Sequence, residues 1–211
     1  CKVMTEISEM RKLANPPITG YEFHIINMVS YVCPQKLILP YLQETLAEIK
    51  KRKPDPKPWY RCRVGIVGSE VDDPNLTRML EEAGAFICFD RFCFGMFPGR
   101  EVIELNDEEP ALRQICRHYL ITSECPRFMS NEKIEQRRET ADRLAREYDA
   151  DGIIYENVKF CDFWGFERAL ASHIQYEEYG HPVLTIDRPY NAKTSGQLRT
   201  RFQAFVESLE I

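Results

Sequence analysis

The spacing of hydrophobic positions changes near residue 60, and this change predicts two kinds of structure. Before it, apolar residues recur as they do at Leu42, Leu46 and Ile49, which is the repeat of a helix with one buried face. After it, short apolar runs rich in β-branched residues, such as 63–68 and 152–157, alternate with helical stretches. Internal strands of a parallel sheet have this composition. The pattern predicts a helical segment followed by an alternating α/β region.

The boundary between the two regions falls in a proline-rich stretch, residues 53–59. Prolines at alternate positions make a stiff linker that neither a helix nor a central strand accommodates. We therefore predict a helical segment with its linker over residues 1–58 and one α/β domain over 59–211. The helices predicted before the linker are 5–14, 19–32 and 36–52.

Repeated strand–helix units in the second region predict a parallel sheet with right-handed crossovers. Asp73-Pro74 is typical of a helix start, with an N-cap residue followed by proline at the first helical position. The run Thr194-Ser195-Gly196-Gln197 predicts a capping box before the last helix. The fold class is therefore α/β: a Rossmann-like parallel sheet of about four strands flanked by helices, preceded by a helical N-terminal segment. The predicted strands are 63–68, 85–90, 152–157 and 181–187, and further helices are predicted over 132–148 and 163–179.

Cysteines stand where ligands usually bind in such a sheet. Cys161 follows the third strand, just before a helix for which Asp162 is the expected cap, and a helix N-terminus favours the thiolate form of a cysteine. Cys93 and Cys125 lie in a long excursion at about residues 92–131, which also contains Pro98-Gly99-Arg100. Ligands of open α/β sheets bind at the carboxyl ends of the strands, and long excursions there often carry function.

Three cysteines and an aspartate are expected to approach one another at this edge: Asp90, Cys93, Cys125 and Cys161. Thiolates with few competing nitrogen ligands suit iron–sulfur clusters. The alternative is that these are ordinary packing cysteines, since a free cysteine behaves as a small hydrophobe, and that Cys93 and Cys125 brace loops. From the residues alone, this alternative is favoured for Cys93 and Cys125.

Composition excludes several classes of protein. A net charge of −5 over 211 residues argues against a nucleic-acid surface. No apolar run reaches the length of a membrane span, and the first residues lack the apolar core of a signal peptide. Eight widely spaced cysteines without a Cys-x-x-Cys pair indicate reduced thiols in a cytoplasmic protein rather than disulfides or a self-contained zinc site.

The glycine motif after the first strand and the histidines give no support for common cofactor sites. Gly65-x-x-Gly68-Ser69 lacks the full spacing of a dinucleotide-binding turn, and no Walker A sequence is present. The histidines are scattered without a metal-binding spacing. The glycine motif therefore does not predict a nucleotide-binding enzyme, and the histidines do not predict a zinc enzyme.

Longer stretches resemble a known family. The most specific are Lys159-Phe160-Cys161-Asp162 and Gly196-Gln197-x-Arg199-Thr200-Arg201, supported by Asn15–Gly20 and residues 63–73. They are similar to the C-terminal part of subunits of the 2-hydroxyacyl-CoA dehydratase/benzoyl-CoA reductase family, of the 2-hydroxyglutaryl-CoA dehydratase D-component type. The resemblance covers nearly the whole chain.

The resemblance implies an oxygen-sensitive enzyme that acts on a CoA thioester, built with a homologous second subunit or as a homodimer. An ATP-hydrolysing iron–sulfur activator protein would deliver a low-potential electron. Each subunit would hold a [4Fe–4S] cluster, with Cys161 at the position of one ligand and the others mainly from a preceding domain. The chain is then expected to be the C-terminal part of a longer subunit, unable to assemble a complete cluster or to turn over alone.

Further residues are candidates for the same site, and no catalytic residue is assigned. Cys125 and Cys93 are additional candidate metal ligands. Gln197, Arg199 and Arg201 are candidate substrate-binding residues, because guanidinium groups hold phosphate and carboxylate; the alternative for both arginines is surface ion pairing.

The predicted function is dehydration or reduction of a CoA thioester by low-potential electrons, as part of a lyase or an ATP-dependent reductase. Two alternatives remain open at this stage. One is a relative with a double-cubane cluster that reduces small molecules. The other is a non-catalytic domain that serves assembly or docks a partner.

Overall fold

The computed structural model describes residues 1–54, 56–96, 101–190 and 196–210. It confirms the α/β class: a four-stranded parallel sheet flanked by helices and preceded by N-terminal helices. The N-terminal elements are α1 (Lys2–Glu9), a 3-10 turn (Met10–Lys12), α2 (Gly20–Val32) and α3 (Gln35–Lys51). The elements that follow are β1 (Cys62–Gly68), α4 (Pro74–Glu82), β2 (Ala85–Arg91), α5 (Ala111–Thr122), α6 (Asn131–Glu147), β3 (Gly152–Val158), α7 (Asp162–Glu177), β4 (Val183–Arg188) and α8 (Gly196–Leu209).

The sheet has the strand order β2-β1-β3-β4, with every neighbouring pair parallel. The chain moves outward from β1 to β2, then returns to place β3 on the other side of β1. The connections that leave β1 and β3 therefore diverge at their carboxyl ends. A reversal of this kind opens the crevice in which α/β proteins bind ligands.

Each face of the sheet has its own hydrophobic core. On one face Ile66 and Ile154 pack against α4 and α8. On the other face Ile153 and Tyr155 pack against α6 and α7. Successive residues of β3 thus point to opposite faces, and both faces are covered. This explains why the run 152–157 is apolar throughout rather than alternating.

The N-terminal helices form a third core and pack onto the α/β domain. Arg11 reaches Asp90 of β2 at 2.8 Å, and both side chains are buried. Arg63 of β1 donates to the backbone oxygen of Arg11 at 2.7 Å, and Glu81 of α4 accepts from the amide of Gly20 at 2.7 Å. The predicted linker therefore separates the segments along the chain, but buried bonds join them in space.

The element boundaries follow the signals in the sequence closely. Asp73 caps α4, where its Oδ1 accepts from the amide of Asn75 at 3.0 Å. Gly84 follows the end of α4 and has φ +99°, a left-handed conformation that glycine adopts without steric cost. Two expectations, the Pro98-Gly99-Arg100 turn and the Thr194-Ser195 part of the capping box, lie outside the described residues.

Candidate thiol site at the carboxyl edge of the sheet

Cys161 lies at the mouth of α7, immediately beyond β3. Phe160 has φ +75° and turns the chain, so that Cys161 occupies the N-cap position. Its amide donates to the oxygen of Val158 at 3.0 Å, and its own oxygen accepts from the amide of Gly165 at 2.9 Å. The helix thus begins at Asp162, one residue earlier than predicted. The expectation that Asp162 caps the helix was wrong, because the left-handed Phe160 already brings Asp162 into the first turn.

Cys125 lies in a loop that is held by an ion pair on one side and by a hydrogen bond on the other. Its neighbour Glu124 pairs with Arg91 at the end of β2. The oxygen of Phe128 accepts from Arg137 Nη1 of α6 at 3.0 Å. The loop is therefore fixed between the edge strand and the helix layer. Within it, Arg127 Nε donates to Cys125 Sγ at 3.2 Å.

The structure brings the three candidate thiols into one electrostatic environment. Burial, and after it the neighbouring Glu70, Cys125 and Cys161, raise the pKa of Cys93 to about 12. The pKa of Arg127 is raised chiefly by its hydrogen bond to Cys125, and also by the charges of all three cysteines. A single guanidinium group therefore stands among these thiols.

Asp90 does not join these thiols, contrary to the sequence-based expectation. Its carboxylate turns towards the N-terminal helices, where it pairs with Arg11. Burial of both side chains explains this arrangement, because a buried carboxylate needs an opposite charge. The expectation followed from position along the strand, which does not specify the face to which a side chain points.

Thiols are the donors that iron–sulfur clusters use, so the residue types fit such a group. Among the described residues, however, no three histidine, cysteine, aspartate or glutamate side chains gather into a metal-binding group. Cys161, Cys93 and Cys125 are near one another without forming a closed set of ligands. The described part of the chain therefore presents thiol side chains of a suitable type but no complete set of metal ligands.

Behind the thiols lies a buried polar network that the sequence did not indicate. Glu156 is fully buried and Arg188 nearly so, with Arg188 Nε 2.7 Å from Glu156 Oε1. Ser69 donates from Oγ to Glu156 Oε2 at 2.8 Å. Burial raises the pKa of Glu156, while Arg188 and Ser69 act in the opposite direction. In the sequence, this network is indicated only by the polar residues that stand at or beside the carboxyl ends of three strands.

The candidate substrate residues lie on α8. Gln197 is exposed in the first turn of the helix. Arg199 Nη2 donates to Glu82 Oε2 of α4 at 3.1 Å on the protein surface. Arg201 Nη2 donates to the oxygen of Thr185 in β4 at 2.6 Å. Both arginines have partners within the domain, and their role in substrate binding stays a prediction.

A well-formed cavity lies elsewhere. It has a volume of about 380 Å³ and is lined by residues of α1 and α6, with Ser8, Arg91 and Tyr148 among them. This places it beside the edge strand, away from Cys161. Its lining residues include none of the three candidate thiols, so we base the functional site on the thiols and the strand order. In the part of the chain that the structure describes, no helix is long and apolar enough to cross a membrane.

An open parallel sheet with thiols at its switch point defines a Rossmann-like class of α/β domain. The comparison with family models is more specific: residues 1–209 match the model of the 2-hydroxyglutaryl-CoA dehydratase D-component. The chain belongs to this family, as its resemblance predicted.

Two curated relatives agree with this assignment. The chain is 27% identical over 208 residues to the beta subunit of (R)-phenyllactyl-CoA dehydratase of Clostridium sporogenes, an alignment that covers 99% of this chain and 54% of the relative. It is also 27% identical over 159 residues to an Escherichia coli K12 protein named as a dehydratase subunit, covering 74% of this chain and 38% of that protein. The chain thus spans about half the length, or less, of these relatives.

Proposed function

We propose that this chain is part of a 2-hydroxyacyl-CoA dehydratase subunit in which Cys161 is a ligand of a [4Fe–4S] cluster. The family match over residues 1–209 is the observation that carries the reaction class. The position of Cys161 at a helix N-terminus, beside the sheet's switch point, supports its role. The positive end of a helix stabilises an anionic ligand at that position.

The cluster, when bound, supplies one-electron chemistry at low potential. The residues of this chain hold and orient the donors. Cys161 offers its thiolate at the mouth of α7, and Cys93 and Cys125 are further candidates close by. Arg127 offsets negative charge around the thiols. The remaining ligands are proposed to come from outside the described residues.

The substrate we propose is a CoA thioester of a 2-hydroxy acid. One relative is named as acting on such a compound, (R)-phenyllactyl-CoA. Arg199 and Arg201 are proposed to contact phosphate or carboxylate groups of the thioester, with Gln197 beside them. For Arg199 this requires exchange of its exposed partner Glu82, which costs little because surface ion pairs are weak.

The proposed partners follow from the same comparison. Both relatives are named as subunits, and we propose that this protein pairs with a homologous subunit or with a second copy. An ATP-hydrolysing iron–sulfur activator would provide the electron. The proposed location is the cytoplasm, where reducing conditions keep the eight free thiols reduced.

The experiment is an activity assay on the protein isolated anaerobically together with the subunits and activator that accompany it in its own cells. We expect ATP-dependent loss of water from at least one of several 2-hydroxyacyl-CoA thioesters, with aromatic CoA thioesters included to detect ring reduction. Product is measured by liquid chromatography with mass detection. Full iron content without conversion of any CoA thioester, alongside reduction of small molecules, would favour the double-cubane alternative instead.

A further inference from the structure

Ser69 lies between the two loops that carry Cys93 and Cys161. Its hydroxyl oxygen accepts from the amide of Val158 at 2.7 Å, at the start of the loop that leads to Cys161. Its backbone oxygen accepts from the amide of Cys93 at 3.0 Å. One residue at the end of β1 thus binds the backbone of both loops.

The orientation of the Ser69 hydroxyl is itself determined by its surroundings. A serine hydroxyl has one proton to donate, and here Glu156 Oε2 accepts it at 2.8 Å. The Ser69 amide donates to the same oxygen at 3.1 Å. Glu156 is held in turn by Arg188, and all three side chains are almost completely buried. The lone pair of the Ser69 hydroxyl that accepts from the Val158 amide is therefore held towards that amide.

The loop between β3 and α7 depends on this network at successive residues. Val158 is bound by Ser69, and the amide of Lys159 donates to the oxygen of Arg188 at 2.8 Å. The amide of Cys161 then closes a turn onto the oxygen of Val158 at 3.0 Å. The position of the Cys161 backbone thus follows from Ser69 and Arg188 through short, connected hydrogen bonds.

We propose that Ser69 is a positioning residue that sets the placement of the Cys161 loop relative to Cys93, with Glu156 and Arg188 holding its hydroxyl. The placement itself does not depend on a bound cluster. Its consequence for cluster chemistry rests on the proposed function above. The substitution Ser69→Ala removes the bond to Val158 but keeps the backbone bond to Cys93, which makes the two loops separable by experiment.

The first test is performed on this chain without metal. In Ser69→Ala we expect amide hydrogen exchange at Val158 to accelerate about fivefold or more, because one buried hydrogen bond is lost. Alkylation of Cys161 by iodoacetamide should accelerate similarly, and alkylation of Cys93 should change less. Trypsin cleaves after Arg91, Arg117 and Lys159, so mass spectrometry follows the three candidate thiols in separate peptides.

Asp151→Ala is the matched control. Asp151 Oδ2 accepts from the amide of Arg63 at 2.7 Å. This bond joins β1 and β3, the strands that Ser69 also joins, but at their amino ends. We expect this variant to leave exchange at Val158 and alkylation of Cys161 unchanged. Equal acceleration in both variants would show general loosening of the fold and overturn the proposal, as would unchanged exchange and alkylation in Ser69→Ala.

Glu156→Gln separates the hydrogen bond from the charge. The amide oxygen still accepts from Ser69, so exchange at Val158 should stay within about twofold of the parent protein. Loss of protection at Val158 equal to that in Ser69→Ala would contradict the assigned direction of the Ser69 hydroxyl.

A second measurement uses the anaerobically assembled enzyme with its cluster. Ser69→Ala should change the electron paramagnetic resonance spectrum of the reduced cluster, and Asp151→Ala should not. An unchanged spectrum in Ser69→Ala, with altered alkylation of Cys161 in the free chain, would count against Cys161 as a ligand and not against the positioning role. The two hypotheses can therefore fail independently.

Discussion

The two ends of β1 carry buried polar side chains with very different surroundings. At the amino end, Arg63 donates to the backbone oxygens of Arg11, Leu13 and Tyr148 at 2.7 to 3.0 Å. At the carboxyl end, Glu156 pairs with Arg188 at 2.7 Å and accepts from the Ser69 hydroxyl at 2.8 Å, so the buried charges there are balanced by side chains rather than by backbone oxygens.

The difference separates an end of the sheet that holds the N-terminal segment from one that holds the loops of the candidate thiols. Arg63 meets its hydrogen-bonding capacity and holds the N-terminal segment against the domain. At the carboxyl end, Glu156 links Ser69 to Arg188, and Ser69 binds the backbone of the loops that carry Cys93 and Cys161. We therefore expect substitutions at the amino end to change stability, and substitutions at the carboxyl end to change thiol chemistry.

The largest expected effect on stability is that of Arg63→Met. The variant keeps an apolar stem but leaves several buried backbone oxygens without a donor, and we expect it to lower the free energy of unfolding by about 3 kcal/mol or more. Chemical denaturation measures this loss. The neighbouring Arg61→Met removes only an exposed pair with Glu210 and should leave the denaturation midpoint nearly unchanged. A similar midpoint for both variants would remove the assigned role of Arg63.

The next effect is a pH dependence that arises at Glu81, which anchors α2. Burial raises the pKa of Glu81 to about 7 from an ordinary value of 4.5, although three backbone amides that donate to it act against the shift. The stabilising contribution of Glu81 is therefore fully present below about pH 4.5 and is lost as the pH rises through about 7, a change of about 3 kcal/mol. Denaturation of Glu81→Gln at pH 4.5 and 7.5 should show a flatter dependence than that of the parent. Parallel curves would contradict the shift.

A smaller effect of the opposite sign is expected at the carboxyl end. Phe160 has φ +75° and is 97% exposed, so it combines a strained backbone with little packing. Phe160→Gly should raise the free energy of unfolding by about 1 kcal/mol, because glycine adopts this conformation without steric cost. Phe166→Gly, in the regular part of α7, should lower it by a similar amount. If both variants were destabilised equally, the strain at Phe160 would play no part.

The smallest effect concerns the charge around Cys93. Glu70 is the first of the charged groups that raise the pKa of Cys93, after burial itself. Glu70→Gln should therefore lower that pKa and speed alkylation of Cys93 by about twofold or more at pH 9, with the rate of Cys62 as an internal control. The pKa of Cys62 is also raised to about 12, chiefly by burial, but the carboxylate that adds to the shift is Asp151 and not Glu70. An unchanged rate at Cys93 would show that Glu70 does not reach the thiol.

Much of the fold is contained in local sequence signals. The run 152–157, the cap at Asp73 and the glycine at position 84 each specify one element and its boundary, and the structure confirms them. The order of the strands did not follow from these signals. It depends on contacts between distant segments, as does the burial of Arg11 against Asp90.

The candidate site was only partly predictable for the same reason. Cys161 could be placed at a helix mouth because strand, loop and helix are adjacent in sequence. The position of Asp162 was missed by one residue, since the left-handed Phe160 has no sequence signature of its own. Ser69, Glu156 and Arg188 belong to three separate strand ends, and only the folded sheet brings them together.

The central claim is that Cys161 binds iron, and the most direct test is the iron content of Cys161→Ala in the anaerobically assembled enzyme. Cys116→Ala serves as the control, because Cys116 is an exposed thiol on α5. We predict that Cys161→Ala assembles with its partner but loses most of the iron and the cluster spectrum of its subunit, while Cys116→Ala retains both. Iron content and spectrum unchanged in Cys161→Ala would contradict the assignment.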